Sequence, residues 1–364
     1  MKKLKKSKSK TIKFSIVGCG RVAQHYLKIF KQKKIKNFQI LSVCDLDENK
    51  SISFAKKFKA KAFIDIEKML DQTKPDIVLV LTISGQHFLN CKKILNLGFN
   101  VICEKPLSMS SEQCLKLDKI AKLKKKILGV VFQNRLNPSI KLLKKYVDNK
   151  RFGKIISISV KLVWCRYQSY YNDGWHGTWL NDGGVTNQQA IHHIDVLNWM
   201  FGPLTSVSSI MANRANKLQA EDTMVSIFET HRGGLGTIEV TTAARPKDYE
   251  ASITITGTKG NVKIGGVALN KIENWEFANE TKNISKLIKK KYSQAVPTGY
   301  GLSHIDYLNE SIKVLINKKN KFPVSAIDAA RTQKLIHAIY LSNEKNKKIF
   351  ITNKDIKSKY LGKN

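Results

Sequence analysis

Residues 12–32 constrain the fold of this chain more than any other stretch, because three local patterns follow one another there in a fixed order. Residues 12–17 have the apolar alternation of a strand, residues 18–23 form a glycine turn, and residues 23–32 carry apolar side chains at helical spacing. A strand joined to a helix by a short glycine turn is the first part of a βαβ unit. The pattern therefore predicts an α/β fold that begins with a parallel sheet.

The same rhythm of strand and helix continues to residue 133. Because parallel strands need crossover helices, it predicts a doubly wound Rossmann sheet of six strands. Ser110, with Gln113 three residues later, is typical of a capped helix start. The predicted strands are 12–17, 38–44, 60–63, 77–81, 100–103 and 127–132, and the predicted helices are 23–32, 49–58, 87–97 and 110–125.

Beyond Arg135 the alternation gives way to short amphipathic strands separated by glycine-rich turns. Such strands predict a second α/β domain with a large, mostly antiparallel open sheet. Apolar residues at 191–200 recur at helical spacing and predict a buried helix beside it. We expect a basic N-terminal tail at 1–10, a first domain at 11–133 and a second at 134–364. The other predicted elements of the second domain are helices 138–149, 302–316 and 326–343 and strands 155–164, 204–212, 223–229, 234–242, 251–256 and 260–264.

The charge balance is unusual, with 64 Lys and Arg against 28 Asp and Glu and a formal net charge of +36. Such an excess can indicate nucleic acid or an anionic membrane as partner. The lysines, however, are scattered along the chain, and no basic stripe with interleaved aromatic residues accompanies them. We interpret the excess as a genome-wide lysine bias that favours an anionic substrate, and we expect neither specific nucleic-acid binding nor membrane binding.

The six cysteines lie singly in the sequence, mostly in apolar segments, without a Cys-x-x-Cys pair. This spacing predicts reduced, buried thiols and a cytoplasmic protein, and we expect no metal site. The basic start of the chain leads into the strand at 12–17 rather than into an apolar signal core. No apolar run approaches the roughly 18 residues that a membrane span requires. We therefore expect a soluble protein.

Asp45 ends the second predicted strand, 25 residues beyond Gly20 of the glycine turn. Bare backbone at Gly18 and Gly20 lets a pyrophosphate approach the helix N-terminus, where the helix dipole favours negative charge. A carboxylate at the next strand end can bind the adenosine ribose diol, and its charge repels a ribose phosphate. The combination predicts a dinucleotide site that prefers NAD to NADP. The alternatives are a glycine turn that merely links strand to helix and an Asp45 that merely belongs to a turn.

Two more segments end at the same edge of the predicted sheet. Residues 82–87 follow the fourth strand, and Glu104, Lys105 and Pro106 follow the fifth. Doubly wound sheets bind their ligands at this edge. A lysine in such a lysine-rich chain is ordinarily solvated, but its place at a strand end, fixed by the following proline, favours a functional role. Residues 82–87 are also compatible with a simple capped loop.

Four motifs in this order resemble the glucose-fructose oxidoreductase, inositol dehydrogenase and MocA (Gfo/Idh/MocA) family of NAD(P)-dependent oxidoreductases, over residues 12–345. The resemblance implies that Lys105 holds the reacting sugar hydroxyl near the nicotinamide, often with a cis bond before the proline. It also implies that His192 is the acid/base residue, that the active site lies in a cleft between the domains, and that the second domain often forms oligomer interfaces. The motifs are 18–23 (GCGRVA), 82–87 (TISGQH), 104–107 (EKPL) and 190–195 (AIHHID).

The two histidines of the last motif have different expected roles. His192 matches the family's acid/base residue, and imidazole titrates near neutral pH. His193 points away from it by about 100° on a helix and is expected to pack structurally. Without the family context, both histidines are also compatible with a role in capping a buried helix.

One position departs from the family pattern. Many members have Asp four residues before the histidine, where this chain has Gln188. A carboxylate there would raise the basicity of the histidine, whereas an amide can only orient it or the substrate. The amide, with the residues around Arg135 and at 164–167 and 175–179, resembles the branch that oxidises nucleotide-linked N-acetylhexosaminuronates for surface-polysaccharide synthesis. Arg135 and Arg166 suit carboxylate or diphosphate groups, and aromatic faces suit a sugar or base.

The resemblance predicts an NAD-dependent sugar dehydrogenase, expected as a homodimer or homotetramer, with a 3-keto UDP-N-acetylhexosaminuronate as product. The alternatives are a dehydrogenase of free polyols such as inositols and a non-catalytic protein that binds NAD or nucleic acid. The candidate catalytic residues are Lys105, His192 and Gln188. The candidate cofactor ligands are Gly18, Gly20, Arg21, Val22, Ala23, Asp45, Thr82, Ser84, His87, Glu104 and Lys105. The candidate substrate ligands are Lys105, Arg135, Arg166, Tyr170, Trp175, Gln188, Gln189, His192 and His304, the last in a Tyr-Gly-x-x-His segment that also resembles a family motif.

Overall fold

The computed structural model of the chain describes residues 10–363. The predicted basic tail therefore lies, apart from Lys10, outside the described residues. Contacts divide the chain into two compact units. Among the described residues, the first unit comprises 10–105, 116–131 and 304–326, and the second comprises 106–115, 132–303 and 327–363.

Every helix and strand that the sequence patterns predict is present, with its ends shifted by a few residues, and further elements lie between them. The strands are β1 Ile12–Val17, β2 Phe38–Cys44, β3 Lys61–Phe63, β4 Ile77–Val80, β5 Asn100–Glu104, β6 Leu128–Val131, β7 Ile155–Val163, β8 Leu204–Ala212, β9 Thr223–Thr230, β10 Leu235–Thr241, β11 Glu250–Gly257, β12 Gly260–Gly265, β13 Lys271–Phe277 and β14 Ile349–Phe350. The α-helices are α1 Arg21–Lys31, α2 Glu48–Lys56, α3 Ile66–Thr73, α4 His87–Asn96, α5 Ser111–Leu123, α6 Pro138–Asp148, α7 Gln168–Tyr171, α8 Val185–Gln188, α9 Ile191–Phe201, α10 Lys282–Tyr292, α11 Ser303–Ile316 and α12 Ala326–Lys345.

The sheet of the first unit has the strand order β3-β2-β1-β4-β5-β6, and every neighbouring pair is parallel. This order confirms the predicted doubly wound sheet. All of β4 is buried, as expected for a strand whose two faces are both covered by helices. From β1 the chain builds the sheet outward through β2 to β3, and it then continues at β4 on the other side of β1. The strand order therefore switches between β1 and β4, and such sheets bind ligands at the C-terminal ends of their strands, here those of β1, β2, β4 and β5.

The sheet of the second unit has the order β13-β12-β11-β7-β10-β9-β8-β14. Only β7 and β10 pair in parallel among its described strands, which confirms a mostly antiparallel sheet. Residues of β9 alternate between buried and exposed, so one face of the sheet packs on the core and the other is open. The predicted buried helix is α9, which contacts β7.

Sequence patterning misses α3, α7, α8, α10, β13 and β14. In α3 only Met69 and Leu70 are buried, so its apolar periodicity is too short to stand out. The available signal was Asp65, whose side chain caps the helix by accepting a hydrogen bond from the Lys68 backbone N–H at 2.7 Å. The helix α10 has no buried residue, but Ile284, Leu287 and Ile288 recur there at helical spacing, so its signal was available in the sequence.

All six cysteines are free thiols, and five of them are buried, as their isolated spacing predicts. Within residues 10–363 no helix combines the length and the apolar character needed to cross a bilayer.

Candidate active site

The glycine turn after β1 has the geometry that a bound pyrophosphate requires. Gly18 has φ +96°, and a Cβ there would lie 2.7 Å from the backbone of Leu81, so only glycine fits. Gly20 is the N-cap of α1 and makes no side-chain cap, and a Cβ on it would meet nothing within 4 Å. The first N–H groups of α1 are thus approachable by an anion. At the start of the helix Arg21 is exposed, Val22 is half-buried and Ala23 is buried.

Asp45 lies directly beside this turn. Its carboxylate accepts hydrogen bonds from the backbone N–H of Cys19 at 2.7 Å and of Asp47 at 3.0 Å. Each carboxylate oxygen has a second lone pair, so the group retains capacity to accept hydrogen bonds from a diol. Leu46, which the sequence reasoning passed over, is 94% exposed next to it. An apolar residue in a polar loop was the available signal.

Residues 82–87 are held by internal hydrogen bonds. The ring Nε2 of His87 lies 2.9 Å from the Thr82 carbonyl oxygen, and the Asn90 amide donates to Thr82 Oγ1 at 3.1 Å. Ser84 begins a short 3-10 turn and is buried, as is His87. The structure therefore fixes the backbone of this loop at the ligand-binding edge of the sheet.

Glu104 is a buried carboxylate at the end of β5, 5% exposed. It accepts hydrogen bonds from the Tyr26 hydroxyl at 2.7 Å and the Lys105 backbone N–H at 3.2 Å, and His304 Nε2 lies 3.5 Å from its Oε1. Burial opposes ionisation, but His304, Tyr26 and the charge of Lys105 outweigh it and hold the pKa of Glu104 below its ordinary value. Glu104 is thus an anion next to Lys105.

His304 has internal partners in the first unit. Its ring is 2% exposed and lies edge-on to His25, with ring centroids 4.8 Å apart, and to Tyr26, at 5.5 Å. The sequence led us to expect a direct contact between His304 and the substrate. Because the ring is buried, the proposals below do not use His304 as a substrate ligand. The Lys105–Pro106 bond also differs from the expectation: within residues 10–363, cis bonds precede only Pro203 and Pro246.

In the second unit, the segment before His192 is anchored on Glu221. The Glu221 carboxylate accepts from the Thr186 backbone N–H at 2.9 Å and from the Tyr340 hydroxyl at 3.1 Å. A Cβ on Gly184 would collide with Glu221, so glycine is required there. Burial raises the pKa of Glu221 to about 7, because these donors are neutral. Sequence patterning offers no sign of this carboxylate.

The amides of residues 187–189 have different surroundings. Asn187 donates to the Asp182 carbonyl at 2.6 Å and accepts from the Gln333 amide at 3.1 Å, so it is used internally. Gln188 and Gln189 are both buried. Within the part of the chain that the structure describes, neither the nitrogen nor the oxygen of the Gln189 amide has a hydrogen-bond partner. A buried amide in this condition is destabilising unless a ligand pairs with it, so Gln189 suits a ligand-binding role.

Gln188 and His192 do not lie on one regular helix. The backbone N–H of Ala190 bonds to the Val185 carbonyl, five residues earlier, at 2.8 Å, which widens the turn between α8 and α9. His192 is half-buried with its ring edge-on to Phe132, at 6.1 Å between centroids. It can therefore meet a ligand.

His193 has the buried, structural surroundings expected for it. Its ring packs edge-on to Trp164, and burial lowers its pKa to about 4, so it is neutral near pH 7. Among the described residues neither ring nitrogen has a hydrogen-bond partner.

Arg135 is tied up inside the second unit. Its guanidinium donates twice to Asp195, with both distances 2.7 Å, and lies 3.3 Å from Asp328. Burial opposes its charge, but the two carboxylates outweigh it and hold the pKa of Arg135 above its ordinary value. A guanidinium committed in this way cannot also bind a substrate bidentately. The geometry thus corrects the expectation that Arg135 binds substrate, and the proposals leave it out.

Arg166 lies in an aromatic cluster at the end of β7. It donates to Asp248 at 2.9 Å and stands 5.0 Å from the Trp164 ring and 5.7 Å from the Tyr170 ring. Trp175 stacks on His176, at 3.6 Å between centroids, and His176 in turn packs on Tyr170. The structure therefore brings together three of the predicted substrate ligands, namely Arg166, Tyr170 and Trp175.

Arg245 joins this cluster and was missed by sequence reasoning. It stands 4.4 Å from the Tyr167 ring and donates to the Ala244 carbonyl at 2.8 Å and to the Asn216 amide oxygen at 3.2 Å. These partners are neutral, so they leave its charge available to an anion. The available signal was an arginine before a proline in a chain whose basic residues are mostly lysine.

Comparison with known proteins agrees with this arrangement. Residues 12–132 match the model of the NAD-binding Rossmann fold of the Gfo/Idh/MocA oxidoreductases, and residues 144–351 match the model of their C-terminal alpha/beta domain. The chain belongs to the Gfo/Idh/MocA oxidoreductase family. It is therefore an NAD-dependent sugar oxidoreductase, as the four motifs imply.

Two solved structures resemble this chain over nearly its whole length. The WlbA dehydrogenase of Chromobacterium violaceum, in complex with NADH and UDP-GlcNAcA, is 33% identical, with 97% of this chain and 100% of that chain covered and a TM-score of 0.86. The WlbA dehydrogenase of Bordetella pertussis, also with NADH and UDP-GlcNAcA, is 30% identical, with coverages of 95% and 99% and a TM-score of 0.88. Inositol 2-dehydrogenase 2 of Saccharopolyspora erythraea is 22% identical over 260 residues, 70% of this chain and 73% of that protein.

Proposed function

We propose that this enzyme oxidises the 3-hydroxyl of a UDP-linked N-acetylhexosaminuronate with NAD. The observation that carries the proposal is the similarity, over nearly the whole chain, to two dehydrogenases whose structures hold NADH and UDP-GlcNAcA. The net charge of +36 is consistent with a substrate that carries a carboxylate and a diphosphate.

The residues of the first unit fit NAD. The uncapped N-terminus of α1 at Gly20 would bind the pyrophosphate, and the carboxylate of Asp45 would bind the adenosine ribose diol. The exposed Leu46 offers an apolar contact for the adenine. The fixed backbone at 82–87 and Lys105 would hold the nicotinamide half. When bound, NAD supplies the acceptor for the hydride.

Two side chains divide the work on the hydroxyl group in this proposal. The Lys105 ammonium donates a hydrogen bond to the hydroxyl oxygen and stabilises the negative charge that develops there. The His192 imidazole accepts the hydroxyl proton while the hydrogen on the same carbon leaves as hydride, so the alcohol becomes a ketone. The half-buried position of His192 and the anionic neighbour of Lys105 support these roles.

Amides and the aromatic cluster would select the sugar nucleotide. Gln188 orients His192 or the sugar, and the unpaired amide of Gln189 can bind the N-acetyl or carboxylate group. Arg166 and Arg245 would bind the diphosphate, and Tyr170 and Trp175 would stack on the sugar or uracil. A protein of this activity would act in the cytoplasm, in the synthesis of a surface polysaccharide.

The test is a panel of substrates mixed with purified enzyme and NAD, with the absorbance of the reduced cofactor as readout. The panel contains UDP-GlcNAcA, UDP-GlcNAc, myo-inositol and methyl glucoside. We expect turnover of UDP-GlcNAcA and a much lower kcat/KM for the uncharged UDP-GlcNAc. Turnover of myo-inositol alone would replace this proposal by a polyol dehydrogenase, the second candidate, which the similarity to an inositol 2-dehydrogenase favours.

We also propose a homo-oligomer that covers the open face of the second sheet. Ile210, Val225, Ile227 and Leu235 expose apolar side chains there, with exposed fractions of 72%, 48%, 60% and 61%. An exposed apolar patch of this kind is typical of a protein interface. Light scattering of the native enzyme and of Ile227→Asp tests this. A native protein that is monomeric would contradict it.

A further inference from the structure

A buried hydrogen-bond network lies next to Lys105, and two of its donors, Tyr26 and His304, have no part in the reaction as proposed so far. Tyr26 from α1 and His304 from α11 both meet the same oxygen of Glu104, at 2.7 and 3.5 Å. The other carboxylate oxygen accepts the backbone N–H of Lys105 at 3.2 Å. One carboxylate thus joins two helices to the residue that follows β5.

Groups from α1, α11 and the end of β5 surround Glu104, keep it ionised and fix its orientation. The helix α1 contributes Tyr26 and His25, with Lys28 next to His25. The strand β5 contributes Cys103 and the following Lys105, and α11 contributes His304 and Tyr307. Burial and His304 lower the pKa of His25 to about 3, so His25 is neutral near pH 7. The groups that favour the anion are therefore His304, Tyr26 and Lys105.

We propose that His304 is a positioning residue: with Tyr26 it holds the Glu104 carboxylate in one orientation beside Lys105, and so places the ammonium for the sugar hydroxyl. The inference rests on the proposed role of Lys105. His304 acts through Glu104 and does not touch the substrate. Its 2% exposure accords with this role, and its segment belongs to the first unit although it lies far along the chain.

The physical reason is that a buried carboxylate needs its donors. Without His304, Glu104 keeps the same burial and loses one hydrogen bond and one favourable charge, so its pKa rises. Part of Glu104 is then protonated under mildly acidic conditions. The Lys105 ammonium loses its neighbouring negative charge there, and the turn that carries it loses a fixed anchor.

The main test compares His304→Leu with His304→Gln. Leucine removes the donor at similar volume, whereas glutamine keeps an N–H donor. For the substrate turned over in the panel, we expect His304→Leu to lower kcat about tenfold and to move the acid limb of the kcat/KM profile up by about one pH unit. We expect His304→Gln to restore most of kcat and the native limb. His231→Leu, at an exposed histidine in the β9–β10 turn, is the control.

A second readout needs no substrate. Pulse labelling with acetic anhydride, followed by peptide mass spectrometry, reports how reactive Lys105 is at each pH. We expect His304→Leu to label faster than the native enzyme at about pH 6 and equally fast at about pH 9, because the raised pKa of Glu104 matters only on the acidic side. A role in stability alone would not produce a pH-dependent difference at one lysine.

The outcomes separate this inference from the proposed function. If Lys105→Met keeps its activity, the role of Lys105 fails. If Lys105→Met is inactive but His304→Leu has the native pH profile and native labelling, only the positioning role is overturned. If the His304 variants do not fold, Tyr26→Phe removes the other donor with almost no change of shape, and a native profile in that variant overturns the inference equally.

Discussion

Two buried glutamates, one in each unit, have opposite electrostatics. Glu104 and Glu221 are 5% and 3% exposed, so both are strongly desolvated. The pKa of Glu104 lies below its ordinary value, because His304, Tyr26 and the charge of Lys105 outweigh burial. The pKa of Glu221 is about 7, because burial outweighs a backbone N–H and a tyrosine hydroxyl. Partners, rather than depth, decide whether a buried carboxyl is charged.

The comparison extends to the proposed catalytic residues. The Lys105 segment lies against the ionised Glu104 and its donors, whereas the His192 segment has amides around it and is anchored on Glu221. We interpret this as a division between a fixed positive charge that stabilises developing negative charge and an imidazole that takes up the proton.

Removal of the two proposed catalytic groups should show the largest difference. We expect Lys105→Met to lower kcat about 10³-fold at every pH, since the developing charge loses its main donor. We expect His192→Asn to lower kcat about 10²-fold and to remove the contribution of His192 to the acid limb of the profile, since the general base is gone. Steady-state kinetics from pH 5 to 10 measure both. Lys92→Met and His231→Asn, both at exposed residues, are the matched controls. Native kcat in either catalytic variant would contradict its assignment.

A carboxylate at position 188 should give the His192 segment a negative charge, as Glu104 gives one to the Lys105 segment. Gln188→Asp introduces a negative charge before His192 and should raise the basicity of the imidazole, which moves the acid limb of kcat/KM up by about one pH unit. It should also raise KM for an anionic substrate. Gln188→Asn has the same shape without charge and is the control. If both variants behave alike, Gln188 does not influence the proton on His192.

The two glutamates should affect stability with opposite dependence on pH. A carboxyl whose pKa is raised in the folded state stabilises the fold below its ordinary pKa of 4.5, and this stabilisation is lost as pH rises through about 7. Glutamine does not ionise, so the Glu221→Gln variant does not lose this stability as pH rises. The Tm of Glu221→Gln minus that of the native protein should therefore increase by a few degrees between pH 5 and 8.

Glu104 should show the reverse. Its lowered folded pKa stabilises the protein above the ordinary pKa, and this stabilisation disappears as pH falls through the lower folded value. Glu104→Gln should therefore cost more Tm at pH 7 than at pH 4. Thermal unfolding across this pH range measures both variants. The comparison is contradicted if the Tm difference between variant and native protein changes with pH in the same direction for both.

Features set by short stretches of chain were predictable. Gly18 and Gly20 follow from the turn that a strand and a helix require, and Asp45 follows from its place at the next strand end. The order of the first sheet follows from strand and helix alternation, because parallel strands need crossovers. The surface helix α10 was missed although Ile284, Leu287 and Ile288 recur at helical spacing, so its local signal was present in the sequence.

Roles that depend on distant partners were not predictable. Arginine is a residue type that binds anions, yet the guanidinium of Arg135 is paired with Asp195 and Asp328. His304 was expected at the substrate and lies against Glu104. Arg245 and Glu221 carried no strong local signal, although the structure places them beside Tyr167 and Thr186.

The sequence by itself determined the α/β class, the parallel first sheet and the antiparallel second sheet, because backbone freedom at glycine and the period of apolar residues are local properties. The family followed from the resemblance of four short motifs. Only the tertiary structure decided which charged groups are committed to one another and which remain for a ligand. The reason is that burial and partners set the charge of a side chain, and both come from segments that are remote in the sequence and meet only in the fold.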